Sequence, residues 1–121
     1  MVETSWQDQF LRELNQAIAA RQVGNEGKAR VCARRAAGVV VGEYFQQRGI
    51  ASSQPSAYDR LRYLMTLPDL PEDVLNITEH FLLRITEEHN LPIEADLIRE
   101  ALWLAQNLLG QTLTLPPSID S

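Results

Sequence analysis

Two groups of residues in this chain have side chains suited to chemistry. The first is Arg84-Ile85-Thr86-Glu87-Glu88-His89. An arginine and a histidine supply what RNA cleavage without a metal needs: an imidazole that moves a proton near neutral pH, and a guanidinium that stabilises phosphorane charge. Asn76, His80, Arg84 and Glu88 recur every fourth residue, so on a helix they form one polar stripe. His89 is five residues past Arg84, roughly 140° around a regular helix. It joins the stripe only where the helix ends or distorts, as Asn90 and Pro92 allow. The plainer alternative is a solvated face with a helix-end histidine near the negative end of the dipole.

The second group is basic. Five arginines have an acidic residue three or four positions away: Arg12 with Asp8, Arg30 with Glu26, Arg62 with Asp59, Arg84 with Glu88, and Arg99 with Asp96. Such helical pairs contribute only about 0.2–0.5 kcal/mol each, but they account for the charge. Lys28, Arg34 and Arg35 have no such neighbour. They are expected either to meet the acidic second half of the chain or water, or to contact phosphate or an RNA backbone, which the planar guanidinium suits.

Other chemistries find no support. Gly24-Asn25-Glu26-Gly27-Lys28 lacks the spacing and the preceding strand of a phosphate-cradling loop. A di-iron bundle needs Glu three residues before His, and Ile77 and Thr86 stand three before His80 and His89. Two histidines and one cysteine give no zinc set, and no serine nucleophile elbow is present. No metal and no cofactor is expected.

The elements that would position these groups are all helices, since no run alternates as a strand would. Ser5 and Asp8 resemble a capping box that opens a helix to about Arg21, with Trp6, Phe10, Leu14, Ala17 and Ile18 on one face and Gly24 as the stop. Asn25 caps a second helix, Glu26 to Gln47, ended by Gly49. Its apolar face is made largely of small residues: Ala29, Cys32, Ala33, Ala36, Ala37, Val40, Tyr44 and Phe45. Neighbours can approach such a face closely, which marks this helix as central and gives a reason for Gly38 and Gly42. Each glycine costs about 1 kcal/mol in a helix interior.

Ser56 opens a short helix, Ala57 to Thr66, with Tyr58, Leu61, Leu64 and Met65 pointing one way. A fourth runs from Glu72 to Glu88 around Val74, Ile77, Phe81, Leu82 and Ile85. A fifth runs from Ile93 to Leu109 with Leu97, Ala101, Leu102, Ala105 and Leu108 inward, stopped by Gly110. The short connections predict an all-α, antiparallel up-down bundle of four to five helices. It forms one domain over residues 1–110, followed by an extended tail over 111–121.

Composition sets the frame. At 121 residues, 45% hydrophobic and 22% charged, the chain has ordinary globular usage. Cys32 is the sole cysteine, so no disulfide closes within the chain. The polar, acidic start is unlike a secretory signal and no apolar run spans a bilayer, so a cytoplasmic protein is expected. Net charge is −5, divided unevenly: residues 1–68 carry nine basic and six acidic side chains, while residues 69–121 carry two and ten. The halves are expected to neutralise each other in the fold, or the basic half to face an anionic partner.

With its Ala-rich second helix ARVCARRAAG and the DRLRYL segment of the third, the pattern from Trp6 to Gly110 resembles the HEPN family, the higher eukaryote and prokaryote nucleotide-binding domains. The resemblance implies a homodimer, a small nucleotidyltransferase as a partner, and RNA or a nucleotide as a ligand. Many members of the family are metal-independent ribonucleases, whose mark is an arginine followed four to six residues later by a histidine. Arg84 and His89 keep that spacing, while Ile85 stands where the family usually has a polar residue. The first reading is therefore a homodimeric interaction or binding module. A ribonuclease using Arg84 and His89 is the second, and an unrelated structural adaptor the third. Trp6 and Trp103 are candidates for the dimer face or for the core.

Overall fold

The computed structural model describes residues 5–51, 56–83 and 96–110. Among them the chain is all-α, with five helices and no strand: α1 Trp6–Gln22, α2 Glu26–Gln47, α3 Ala57–Leu64, α4 Glu72–Leu82 and α5 Leu97–Leu109. The expected helical bundle is what forms. Arg84, His89 and the 111–121 tail lie outside the described residues.

The local signals act as the sequence implies. Ser5 Oγ accepts the Asp8 backbone N–H at 3.2 Å, and Asn25 Oδ1 accepts that of Lys28 at 3.1 Å. Each satisfies one of the donors a helix start leaves orphaned. Gly24, Gly49 and Gly110 all take positive φ, at 82°, 66° and 69°, where a Cβ would be strained.

α2 is the central helix, packed against α1, α3 and α5, while α4 closes onto α3 and α5. Every residue of its predicted apolar face is buried, joined by Gly38 and Val41. Gly38 is where α3 docks: a Cβ there would sit 2.5 Å from the Cβ of Ala57. Gly42 is different, since its added Cβ would meet the Arg60 guanidinium at 3.0 Å rather than backbone.

Several expectations are corrected. α3 docks through Ala57, Leu61 and Leu64, which turns Tyr58 outward, 40% exposed. α4 ends at Leu82, not Glu88, with Leu83 extended. Of the expected polar stripe, α4 carries Asn76 and His80, while Arg84 and Glu88 lie outside the described residues. Asp96 caps α5 by accepting from the Ile98 and Arg99 N–H groups, so the helix starts at Leu97 rather than Ile93. Its buried face is Leu97, Ile98, Ala101, Leu104 and Ala105, leaving Leu102 and Leu108 half-buried. Thr78, absent from the predicted core, is buried, and its hydroxyl is satisfied there by donating to the Val74 carbonyl at 2.7 Å. Trp6 and Trp103 are both half-buried against the core.

Candidate functional site

The basic residues separate into two kinds of environment. Arg21, at the end of α1, donates through Nε to Glu26 at 2.7 Å and through Nη1 to Asp96 at 3.1 Å. The second contact crosses from the basic to the acidic half of the chain, so part of the expected neutralisation occurs here. Partial burial alone would lower the Arg21 pKa, but the hydrogen bonds and charges of Glu26 and Asp96 overcome it and raise it. This cation is locked and cancelled.

Arg34 is held differently. Its Nε donates to the Phe81 backbone carbonyl at 3.1 Å, satisfying an orphan acceptor at the end of α4. Its guanidinium also lies 5.8 Å from the centre of the Tyr58 ring, and that of Arg62 lies 5.9 Å from the same ring. A cation over an aromatic face is attracted to the ring quadrupole, by about 0.5–1 kcal/mol at an exposed site. That attraction fixes position without neutralising charge. Spacing along the chain offers Arg34 no local partner, and the structure gives it a carbonyl and a ring but no carboxylate among the described residues.

The docking of α3 explains the arrangement. With Ala57 pressed on Gly38, the next residue, Tyr58, sits beside Arg34 one turn earlier on α2, and Arg62 follows Tyr58 by one turn of α3. Arg35 and Lys28 are exposed, and their seven-residue separation puts them on one edge of α2 together with exposed Val31. Neither has an ion-pair partner among the described residues.

Of the intrahelical pairs offered by spacing, Arg99 closes on Asp96 at 3.5 Å, whereas Arg62 and Arg12 form no bridge to Asp59 and Asp8. Asp59 shares a shallow groove with Arg62, Tyr63 and Thr66 without closing on Arg62. Arg62 and Tyr58 are therefore the two residues that pattern reasoning missed. The available signal was the order Ala57-Tyr58: only one of the pair can face Gly38, and the smaller one does.

His80 keeps company that spacing alone does not reveal. Its Nδ1 lies 2.6 Å from Glu100 Oε1 and 3.2 Å from Oε2, joining α4 to α5. A carboxylate at one ring nitrogen orients the imidazole and sets its tautomer, a supporting role in many proton-transfer sites. No group suited to nucleophilic attack stands beside it among the contacts described, and the pair acts as a clasp between helices. Among the described residues, no three His, Cys, Asp or Glu side chains gather as metal ligands would, and no helix is long and apolar enough to cross a membrane.

No protein-family profile, curated protein or solved structure matches this chain.

Proposed function

We propose that the chain is a HEPN-like helical module that binds RNA through its α2–α3 basic face, working as a cytoplasmic homodimer and in company with a nucleotidyltransferase-type partner. The observation that carries the RNA reading is the Arg34–Tyr58–Arg62 cluster, in which two guanidiniums are positioned by a neutral ring. Arg35 and Lys28 are also exposed on α2 and add to its positive charge. Phosphate is the anion such a surface suits, because guanidinium and phosphate pair bidentately and release counterions on contact. The helical architecture, the ARVCARRAAG helix and the DRLRYL segment support the family part of the reading.

The test is an anisotropy titration of a labelled oligoribonucleotide over a range of salt concentrations. Arg35→Ala and Arg62→Ala are the informative variants, since replacing Arg34 would also strand the Phe81 carbonyl. Each lost phosphate contact should weaken binding and reduce the log–log salt slope by about 1. Unchanged affinity and slope in the double variant would overturn the reading. A mass measurement in solution tests the homodimer, which a strict monomer would remove. Incubating the same RNA without metal separates binding from cleavage. A ribonuclease would lose turnover in both Arg84→Ala and His89→Ala.

A further inference from the structure

The Arg34–Tyr58–Arg62 cluster contains one group that phosphate contacts do not use, the Tyr58 ring. Guanidiniums alone suffice to hold an anion, yet here both lie near an aromatic side chain that is 40% exposed. Its position follows from the fold. Ala57 presses on Gly38 while Leu61 and Leu64 are buried, and this leaves Tyr58 on the outer side of α3. The Cζ atoms of Arg34 and Arg62 stand 5.8 and 5.9 Å from the ring centre. Direct contact between stacked atoms comes at roughly 3.5–4.0 Å, so neither guanidinium is stacked flush on the ring. A flat apolar surface therefore faces outward with a cation held near it on each of two helices.

The surroundings bear on which form of nucleic acid such a surface suits. Arg62 also borders the shallow groove of about 270 Å³ that it shares with Asp59, Tyr63 and Thr66. A surface that only tracked the backbone of a duplex would meet phosphates. The ring would add nothing to those contacts, and the Asp59 carboxylate would oppose them. In an A-form duplex the bases are stacked inside, and side chains reach chiefly phosphates and 2′-hydroxyls. In a single strand each base has a π-face open to an aromatic side chain or a guanidinium plane, with a phosphate on either side of it. We infer that Tyr58 is a stacking platform for an unpaired base, with Arg34 and Arg62 holding the flanking phosphates, so that this face takes single-stranded rather than duplex RNA. The inference rests on the RNA reading above and adds to it the form of the strand.

A labelled oligoribonucleotide of mixed sequence is titrated by anisotropy, once as a single strand and once annealed to its complement, at one salt concentration. Phosphate contacts alone would favour the duplex, which carries more charge per unit length. The single strand should nevertheless bind more tightly. Tyr58→Leu keeps apolar bulk but removes the π-face. It should weaken the single strand about fivefold or more, the lower end of the worth of a base stacked on an aromatic, and leave the duplex little changed. Tyr58→Phe keeps the ring and should bind as the unaltered chain does. If Tyr58 only orients the two arginines, Tyr58→Leu weakens both forms alike. Should Tyr58→Leu fail to fold, the unaltered chain supplies the same test: an abasic strand of equal length should bind about fivefold or more weaker than the strand with bases. A duplex bound as tightly as the single strand, equal weakening of both forms by Tyr58→Leu, or an abasic strand bound as well as the intact one would overturn the inference and leave RNA binding standing. Binding of neither form would remove the RNA reading and this inference with it.

Discussion

Arg21 and the pair Arg34 and Arg62 are the same residue type put to opposite electrostatic uses. Arg21 is pinned by two carboxylates, from Glu26 and Asp96, so its charge is spent within the fold. Arg34 and Arg62 lie against the Tyr58 ring, and Arg34 also donates to a backbone carbonyl, so both are oriented without being neutralised. Counting charges along the chain cannot separate these cases. What separates them is the chemistry of the partner: a carboxylate neutralises, whereas a carbonyl or a ring only orients. A surface of the second kind is partly preorganised for an anion, because some of the cost of ordering its side chains is met before the ligand arrives.

The largest break in this comparison comes from Gly38. A valine there would drive side-chain atoms into Ala57, whose Cα is itself only 2.7 Å from an added Cβ, so α3 must move off α2. Overpacking of this kind costs on the order of 3 kcal/mol. In thermal denaturation it should appear as a fall on the order of 10 °C in Tm. Because Tyr58 rides on α3, the same variant should lose RNA affinity, while the Arg21 clasp, built from α1, α2 and α5, remains in place.

Next in size is the paired test of the two arginine environments. Arg35→Ala with Arg62→Ala should reduce the salt slope of RNA binding by about 2 with little change in Tm. Arg21→Ala should do the reverse. Its contacts are about a third or more exposed, with side-chain values of 34% for Arg21, 40% for Glu26 and 38% for Asp96. Its loss should therefore cost only about 1 kcal/mol of stability, and less at high salt. Affinity for RNA should stay as it was. If Arg21→Ala and the double variant changed RNA binding equally, bulk charge rather than the held cluster would be the cause.

How much of this was legible in advance follows from where the determinants lie. Helix stops at Gly24, Gly49 and Gly110 were readable because each is a local conformational demand met by one residue type. The central place of α2 was readable because a broad small-residue face has few other uses. The end of α4 was not. Asn90 and Pro92 are the visible stop signals, yet the helix ends at Leu82, where a side chain from α2 takes the Phe81 carbonyl, and that contact is tertiary. Periodicity places Tyr58 in the core, and spacing places Arg62 with Asp59. Both assignments fail for one reason: the orientation of α3 is set by Ala57 against Gly38, across 19 residues of sequence. Arg84 and His89 lie outside the described residues, so their chemistry rests on the cleavage test alone.

The smallest expected effect is also the sharpest check on the glycine argument. Gly38 and Gly42 lie one helical turn apart on the same helix, and by propensity alone alanine should help equally at both, by about 1 kcal/mol. Their surroundings differ. At Gly38 an added Cβ meets the Cβ and Cα of Ala57, and neither can yield without moving a helix. At Gly42 it meets only the Nη1 and Cζ of Arg60, at 3.0 and 3.3 Å, the far end of a side chain that can shift by a few tenths of an ångström. Gly38→Ala should therefore destabilise, the clash outweighing propensity. Gly42→Ala should leave Tm within a degree or two or raise it slightly, since a gain of up to about 1 kcal/mol is partly offset by displacing the guanidinium. Equal and large losses of stability at both positions would mean that α2 needs glycine for its own backbone, and that neither α3 nor Arg60 is the reason it is there.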